Sequence, residues 1–406
     1  MLGPLDGYRI LELTSTVSGP YAGMVLADQG ADVIKVEPPG IGDLGRFMGS
    51  IRNGMAGMFS VLNKNKRFLA LDLKDKEDLD IFFKLVETAD VLIENYRPGV
   101  VKKIGIDYEN LKKYNHELIY LSLTGYGQTG PYKNRRVYDP LIQATVGSAA
   151  AQNEKKPEFF RSVIFDKVSG LTSAQAITAA LLEKEKTGKG QYISISMLDS
   201  ALYYLWPDVW WSRIWLEDGS IHAGELADYF PIFNAKDKPI IIALVADPHF
   251  EALCLLIDSN LHEDPKFSTF AQRLVNQEEL VEVINSYLIK IDSDTLCKEF
   301  DKLGIPVAAV NQLDEVHLDE QIIFQGSLVE PSHPIAGKMR LPRPPADFGV
   351  EGVFPKRHAM ELGHHCREIL SEINIENIHI ARLEQREEAA KKTMQDFQLS
   401  QVDKNE

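Results

Sequence analysis

The chain has 406 residues, 44% of them hydrophobic and 25% charged, with a formal net charge of −15 at pH 7. This is the balance of a folded globular protein with room for two or three domains, and it argues against extended disorder. Residues 1 to 140 carry 18 Lys+Arg against 18 Asp+Glu, and the rest of the chain holds all the acid excess, so nucleic acid is a poor partner while a small polyanion could be held in the first third.

The opening "MLGPLDGYRILELT" has no basic segment followed by an apolar stretch of signal-peptide length. No window approaches the ~20 apolar residues that cross a bilayer. A cytoplasmic protein without a membrane partner is expected. Cys254, Cys297 and Cys366 are widely spaced and lack any CxxC pattern, so they read as reduced thiols.

In chain order, "YRILELT" (8 to 14) predicts a buried strand, "GPYAGMVLADQGA" (19 to 31) a helix and "DVIKVE" (32 to 37) a second strand. "FLALDLK" (68 to 74), the helical "KEDLDIFFKLVETA" (76 to 89), "DVLIENY" (90 to 96) and "ELIYLSLTGYG" (117 to 127) continue the alternation. Strands alternating with helices predict an α/β fold: a large, open-sheet, Rossmann-like domain with both faces covered. Its ligands would sit beyond the carboxyl ends of the strands, in "STVSGP", "PPGIGD", "DK", "RPG" and "TGYGQTGP". None of these is a dinucleotide or P-loop fingerprint.

Further on, "RSVIFDKVSGLTSAQAITAALLEKEKTGKGQ" (161 to 191) predicts a helix beginning near Asp166, which by pattern alone is an N-cap. Gly170, Ser173, Ala174, Ala176, Ala179 and Ala180 would let another backbone or a flat ligand approach that helix closely. After the aromatic "YYLWPDVWWSRIW" (203 to 215), a hairpin over 228 to 245, helices over 247 to 257 and 277 to 291, and a strand at 305 to 310 predict a second, smaller α+β domain. The expected division is 1–219 for the large domain, 220–325 for the small one, 326–380 for a linker with a return to the large domain, and 381–406 for a charged tail that is a frayed, solvated helix.

Basic residues cluster around the predicted strand ends: Lys64, Lys66, Arg67, Arg97, Lys102, Lys103, Lys133, Arg135 and Arg136. Converging on one edge they would form an anion site, and Tyr96, Tyr126, Tyr132 and Tyr138 among them suit a phosphorylated purine. His116, His364 and His365 read as surface or packing residues, and no HExxH or His/Asp/Glu spacing suggests a metal.

"PLDGYRILELT", "GPYAGMVLADQGADVIKVEPPGIGD", "NKNKRFLALDLK", "DVLIENYRPG", "LSLTGYGQTGP", "YDPLIQA" and "KTGKGQYISISMLDSAL" together resemble the class III coenzyme A transferases, the group of formyl-CoA transferase and the carnitine-type enzymes, with α-methylacyl-CoA racemase as a relative. "GIPVAAVN" and "LGHHCREIL" extend the resemblance more weakly. It implies CoA transfer from an acyl-CoA thioester to a free carboxylic acid. Asp166 would be the covalent nucleophile, CoA a substrate and product rather than a bound cofactor, and the assembly an interlocked homodimer.

The same resemblance places CoA contacts at Val17, Leu73, Lys74, Asn95, Tyr96, Lys103, Arg136 and Tyr138, and oxyanion stabilisation near Gly224. Val17 and Pro38 stand where formyl-CoA transferase has a polar and a basic residue, so formyl or oxalyl specificity does not carry over. The racemases have a His where this chain has Tyr138, and a phenol is a poor proton acceptor at neutral pH. A 2-methylacyl-CoA racemase or isomerase and a non-catalytic acyl-CoA-binding homologue are the rival readings.

Overall fold

The computed structural model describes residues 3–153, 155–217, 219, 225–349, 352, 354–386 and 388. The described residues within Met1–Tyr204 and Gly326–Glu406 form one compact unit, and those within Leu205–Gln325 form another.

The first unit is built on six strands, β1 (Arg9–Leu13), β2 (Asp32–Glu37), β3 (Arg67–Ala70), β4 (Val91–Glu94), β5 (Ile119–Thr124) and β6 (Tyr192–Ser196). They pair in the order β3-β2-β1-β4-β5-β6, every pair parallel. Helices α1 (Ser18–Asp28) and α4 (Ile164–Thr187) cover one face, α2 (Lys76–Val86) and α5 (Cys366–Glu372) cover the other, and the short α3 (Asp139–Thr145) precedes α4.

Side chains that alternate along each strand divide between two cores. Leu11, Ile34, Leu92 and Tyr120 join Phe82 and Ile369, while Ile10, Val33, Ile93 and Leu121 join Leu26 and Ile177. Burial on both faces is why the strands read as continuous apolar runs.

The exceptions to that apolar pattern are charged and fully buried. Glu12 of β1, Lys35 of β2 and Lys66 just before β3 are all 0% exposed. The Lys35 ammonium lies 2.8 Å from both Glu12 and Asp43 and donates to the Thr14 carbonyl at 2.8 Å. Lys66 lies 2.7 Å from the other Glu12 oxygen and donates to the Pro20 carbonyl and to Asn63 at 2.8 Å each. Two acids thus meet two bases with no net charge, the condition under which buried ions are tolerable.

Gly23 gives α1 room to lie against this cluster, because a Cβ there would stand 1.9 Å from a Glu12 oxygen. Beside it, Arg46 grips Glu37 through two nitrogens at 2.7 and 2.8 Å. The bases of the "NKNKR" stretch therefore do not belong to an anion site: Lys64 pairs with Asp28, Lys66 with Glu12, and Arg67 with Asp32 and Glu372.

The C-terminal return seals the edge strand β3. His365 donates its backbone N–H to the Phe68 carbonyl at 3.0 Å, and its Nδ1 accepts the Phe68 N–H at 3.1 Å. Burial and the neighbouring His364 and Arg357 push that imidazole down to about 4, consistent with a neutral ring that can accept. Beyond Ile375 the chain is helical from 377 to 386, with Ile380 and Leu383 buried and Arg382 and Arg386 both on Asp78. This part of the expected frayed tail is docked against α2; the rest lies outside the described residues apart from Glu388.

The second unit carries an antiparallel sheet of Val307–Ala309, Pro239–Ile242 and Ile232–Asn234, with Phe233, Ile240, Phe250, Leu253 and Phe300 in its own core. Its hairpin and the helices Asp247–Leu256 and Gln277–Leu288 match the sequence pattern, and a further helix, Ser293–Lys302, was not anticipated by it.

Replacing Lys35 by Met leaves Glu12 and Asp43 buried without their shared cation. We expect equilibrium urea unfolding to show a loss of ~3–5 kcal/mol; a loss within the ~0.5 kcal/mol typical of surface substitutions would contradict the structural role of this cluster.

Candidate active site

The strand order reverses direction between β1 and β4, since β1 leads to β2 on one side while β4 leads to β5 on the other. In open parallel sheets this switch point leaves a crevice beyond the carboxyl ends of the strands. Here the loops that follow β1 and β4 are stitched across it: the Asn95 side chain accepts the Ser15 N–H and donates to the Ser15 carbonyl, both at 3.0 Å.

From the other side, one Asp43 oxygen accepts the Ser15 hydroxyl and the Thr16 and Gly45 N–H groups, each at 2.8 Å. Burial alone would raise Asp43, but Lys35 and these N–H donors outweigh it and hold the carboxyl far below its ordinary range. Thr16 is kept at φ 76°, a left-handed conformation that a β-branched residue rarely adopts. The buried charge cluster thereby fixes the turn that delivers Ser18 as the first residue of α1.

Ser18 stands beside Asp166 in the cavity wall, where its side chain favours the ionised carboxylate. Contrary to the helix-cap expectation, Asp166 lies in the first turn of α4, behind Ile164 and Phe165, and its carboxylate does not cap that helix. Asp139, at the start of α3, does so instead: one oxygen accepts the Phe165 N–H at 2.6 Å and the Asp166 N–H at 3.0 Å, while the other accepts from Gln143 at 2.5 Å. The Asp166 carboxylate is thereby released to face the cavity. The small residues of α4 also take the first of their two expected roles, because the neighbour they admit is α1: a Cβ on Gly170 would lie 2.7 Å from the Ser18 carbonyl oxygen.

Burial, followed by repulsion from Asp139, lifts the Asp166 carboxyl to about 7, with the Ser18 hydroxyl and Lys167 pulling the other way. Among the described residues it makes no ion pair. A carboxylate so held is both desolvated and uncommitted, which is the condition of a reactive group.

Asp166 lines a cavity of about 410 Å³ together with Ser15, Thr16, Ser18, Asn95 and Met197. Arg97, Lys133, Arg135 and Arg136 also line it, and among the described residues none of these four is ion-paired. Tyr96, Tyr126 and Tyr138 complete the wall, and the Arg135 guanidinium lies 3.6 Å above the Tyr132 ring. The arrangement sets one poised carboxylate among four cations and several aromatic faces. It suits an anionic, partly aromatic ligand with an electrophilic end.

Of the residues singled out from sequence, Asn95, Tyr96, Arg136, Tyr138 and Asp166 come together here. Val17 is buried at the head of α1, Leu73 is buried beyond β3, and Lys74 and Lys103 are exposed; none of these four is among the lining residues. Gly224 lies outside the described residues. Ser18, Asp43 and Asp139 carry no local signal of their roles, since each acts on a partner far away in sequence. Among the described residues, no group of three or more His, Cys, Asp or Glu could hold a metal, and no helix is long and apolar enough to cross a membrane.

A parallel α/β unit whose switch-point cavity carries a desolvated carboxylate and a ring of cations is the frame of an acyl- or phosphate-bearing ligand enzyme. The sequence pattern of CoA-transferase family III matches residues 5–366, and the chain belongs to that family. It is 33% identical over 379 residues to succinyl-CoA:glutarate CoA-transferase of Mus musculus, covering 91% of this chain and 86% of that one. With acetyl-CoA:oxalate CoA-transferase of Acetobacter aceti it shares 34% identity, over 82% of this chain and 89% of the relative. Among solved structures, a CaiB/BaiF family protein from Brucella suis superposes with a TM-score of 0.82 at 31% identity, covering 92% of this chain and all of the other.

The raised carboxyl has a signed consequence. Its folded value of about 7 stands above the ordinary 3.8, so its contribution to stability is intact below 3.8 and is lost as pH rises to about 7. We expect Asp166→Asn to gain stability over the unsubstituted protein by up to ~1.4 kcal/mol per pH unit across this window, and then to level off. A difference that did not vary with pH in denaturant titrations would contradict the desolvated state of Asp166.

Proposed function

We propose that the protein moves coenzyme A from an acyl-CoA thioester to a free carboxylic acid, with Asp166 as covalent nucleophile. The observation that carries this reading is the Asp166 carboxylate, freed from helix capping by Asp139 and facing a cavity with four cations that make no ion pair among the described residues. Membership of CoA-transferase family III and relatives named for CoA transfer between small acids support it.

In this mechanism an Asp166 oxygen attacks the thioester carbonyl carbon. A C–O bond forms, the C–S bond breaks, and CoA leaves as a thiolate from an aspartyl-acyl anhydride. The thiolate then attacks the aspartyl carbonyl, which releases the donor acid and leaves an aspartyl-CoA thioester. The acceptor carboxylate repeats the sequence in reverse, giving the new acyl-CoA and regenerating Asp166. Each step exchanges one acyl bond for another with no net change of protons or electrons, and covalent catalysis divides one difficult exchange into easier ones.

The chain's own groups supply the rest. Arg97, Lys133, Arg135 and Arg136 neutralise the CoA phosphates, with Arg suited to bidentate contact. Ser18 favours the carboxylate in its ionised, nucleophilic form, and the positive end of α1 acts in the same direction. CoA is a substrate and product in this scheme and no resident cofactor is required. Asn95, Tyr96, Arg136 and Tyr138 are the CoA contacts that the cavity supports; Val17, Leu73, Lys74 and Lys103 rest on the family resemblance alone, as does the homodimer, and the cytoplasmic location rests on the sequence reading.

The racemase alternative gains nothing from the geometry, since Tyr138 is 66% exposed at the head of α3. We expect Asp166→Ala to bind CoA within about threefold of the unsubstituted protein by calorimetry and to lose at least ~10³-fold in transfer between acyl-CoA and acid, a loss on the scale of a missing covalent group. Transfer near the normal rate would remove Asp166 as nucleophile, and exchange of the acyl α-proton with deuterated water without acid-to-acid transfer would replace transferase by racemase.

A further inference from the structure

Glu94, the last residue of β4, is 1% exposed, and among the described residues it makes no ion pair. That sets it apart from Glu12, Glu37 and Asp43, three buried acids near the same sheet edge that each contact a Lys or Arg. A buried carboxylate without a cation is costly unless several donors converge on it. Burial lifts Glu94 to about 7, with the Ser122 side chain and the Tyr96 N–H opposing the rise. The cost raises the question of what the group does there, because an apolar residue would pack the same position more cheaply.

Its hydrogen bonds lead to two loops of the cavity. One oxygen accepts the Tyr96 N–H at 2.7 Å, fixing the turn that carries Tyr96 and Arg97 into the cavity. On the neighbouring strand Ser122 lies directly opposite Glu94, and its side chain favours the ionised carboxylate. The Ser122 oxygen in turn accepts from the Gln128 side-chain amide at 2.7 Å. Gln128 belongs to the long loop that presents Tyr126, Lys133, Arg135 and Arg136. Between these two branches, Asn95 clamps the loop that follows β1.

The direction of this chain is set at Glu94. In its ionised form, which the Tyr96 N–H and Ser122 favour, Glu94 can only accept, so a Ser122 hydroxyl turned toward it gives its single hydrogen and leaves its lone pairs for Gln128. An amide at position 94 could keep the Tyr96 N–H but would then turn its own NH₂ toward Ser122, competing with Gln128 for the same oxygen.

Resting on the CoA reading above, we propose that Glu94 is a positioning residue for CoA recognition. Through Tyr96 and through Ser122 and Gln128 it holds the two loops bearing Arg97, Lys133, Arg135 and Arg136 in register, so that their cations meet the CoA phosphates together. It touches neither the acyl group nor Asp166, so it acts on CoA affinity rather than on the chemical steps.

The test measures CoA dissociation constants by calorimetry, KM and kcat for acyl-CoA, and thermal stability on the full-length chain, for the unsubstituted protein, Glu94→Gln, Gln128→Ala and the double variant. Gln128→Ala leaves the core untouched and guards against a folding defect in Glu94→Gln. We expect each single variant to raise the CoA Kd and the KM at least fivefold while kcat falls less than threefold. The double variant should be no worse than the weaker-binding single variant, because both substitutions break one chain.

CoA binding by both single variants at the unsubstituted value would overturn the proposal. So would a Glu94→Gln protein that loses kcat and stability alongside a normal Gln128→Ala, since that pattern marks a purely structural role. An unsubstituted protein that bound no CoA would instead overturn the CoA reading, and this inference with it.

Discussion

The buried contact between Lys35, Glu12 and Asp43 is the constraint on which the site depends. A fully enclosed ammonium placed 2.8 Å from two carboxylates ties β1 and β2 to the turn that begins at Asp43. Asp43 then imposes a left-handed conformation on Thr16, and the chain enters α1 with Ser18 against Asp166. Lys66 completes the neutral cluster and holds the first turn of α1 through the Pro20 carbonyl. Apolar residues of similar volume would pack this position without the desolvation cost, and they would not specify the turn.

A second set of contacts decides the state of the Asp166 carboxylate. Helix α4 needs an acceptor at its amino end, and Asp166 stands in its first turn. Asp139 supplies the acceptor from outside the helix, and in doing so places a second negative charge near Asp166. One residue thus frees the carboxylate and raises its proton affinity. Ser18 and Lys167 oppose the rise, leaving a group that titrates near neutrality instead of one that is permanently ionised. The cations around it, on loops from β4 and β5, favour anions in a chain whose net charge is −15.

The framework of this arrangement was legible in the sequence. Apolar runs such as "YRILELT" and "DVIKVE" predicted β1 and β2 to within a residue or so, and alternation with helices predicted a parallel sheet with its ligand edge. β6 lacks such an apolar run, because "YISIS" is an edge strand with only Ser196 fully buried. The basic stretch from Lys64 to Arg67 was misleading for a physical reason. Charge in a loop reads as solvated, and nothing local reveals that Glu12, Asp28 and Asp32 wait beneath it. Asp166 read as a cap by the same logic, since the competing cap, Asp139, lies 27 residues earlier and reaches it only in the folded chain.

A covalent aspartyl species stands at the centre of the proposed chemistry, and chemical trapping tests it most directly. The protein would be incubated with an acyl-CoA and hydroxylamine, digested, and mapped by mass spectrometry. A hydroxamate on Asp166, formed only when acyl-CoA is present and absent from Asp166→Ala, is the predicted result. Acid-to-acid CoA transfer proceeding in the same preparation without any modification of Asp166, or with the hydroxamate on another carboxylate, would contradict it.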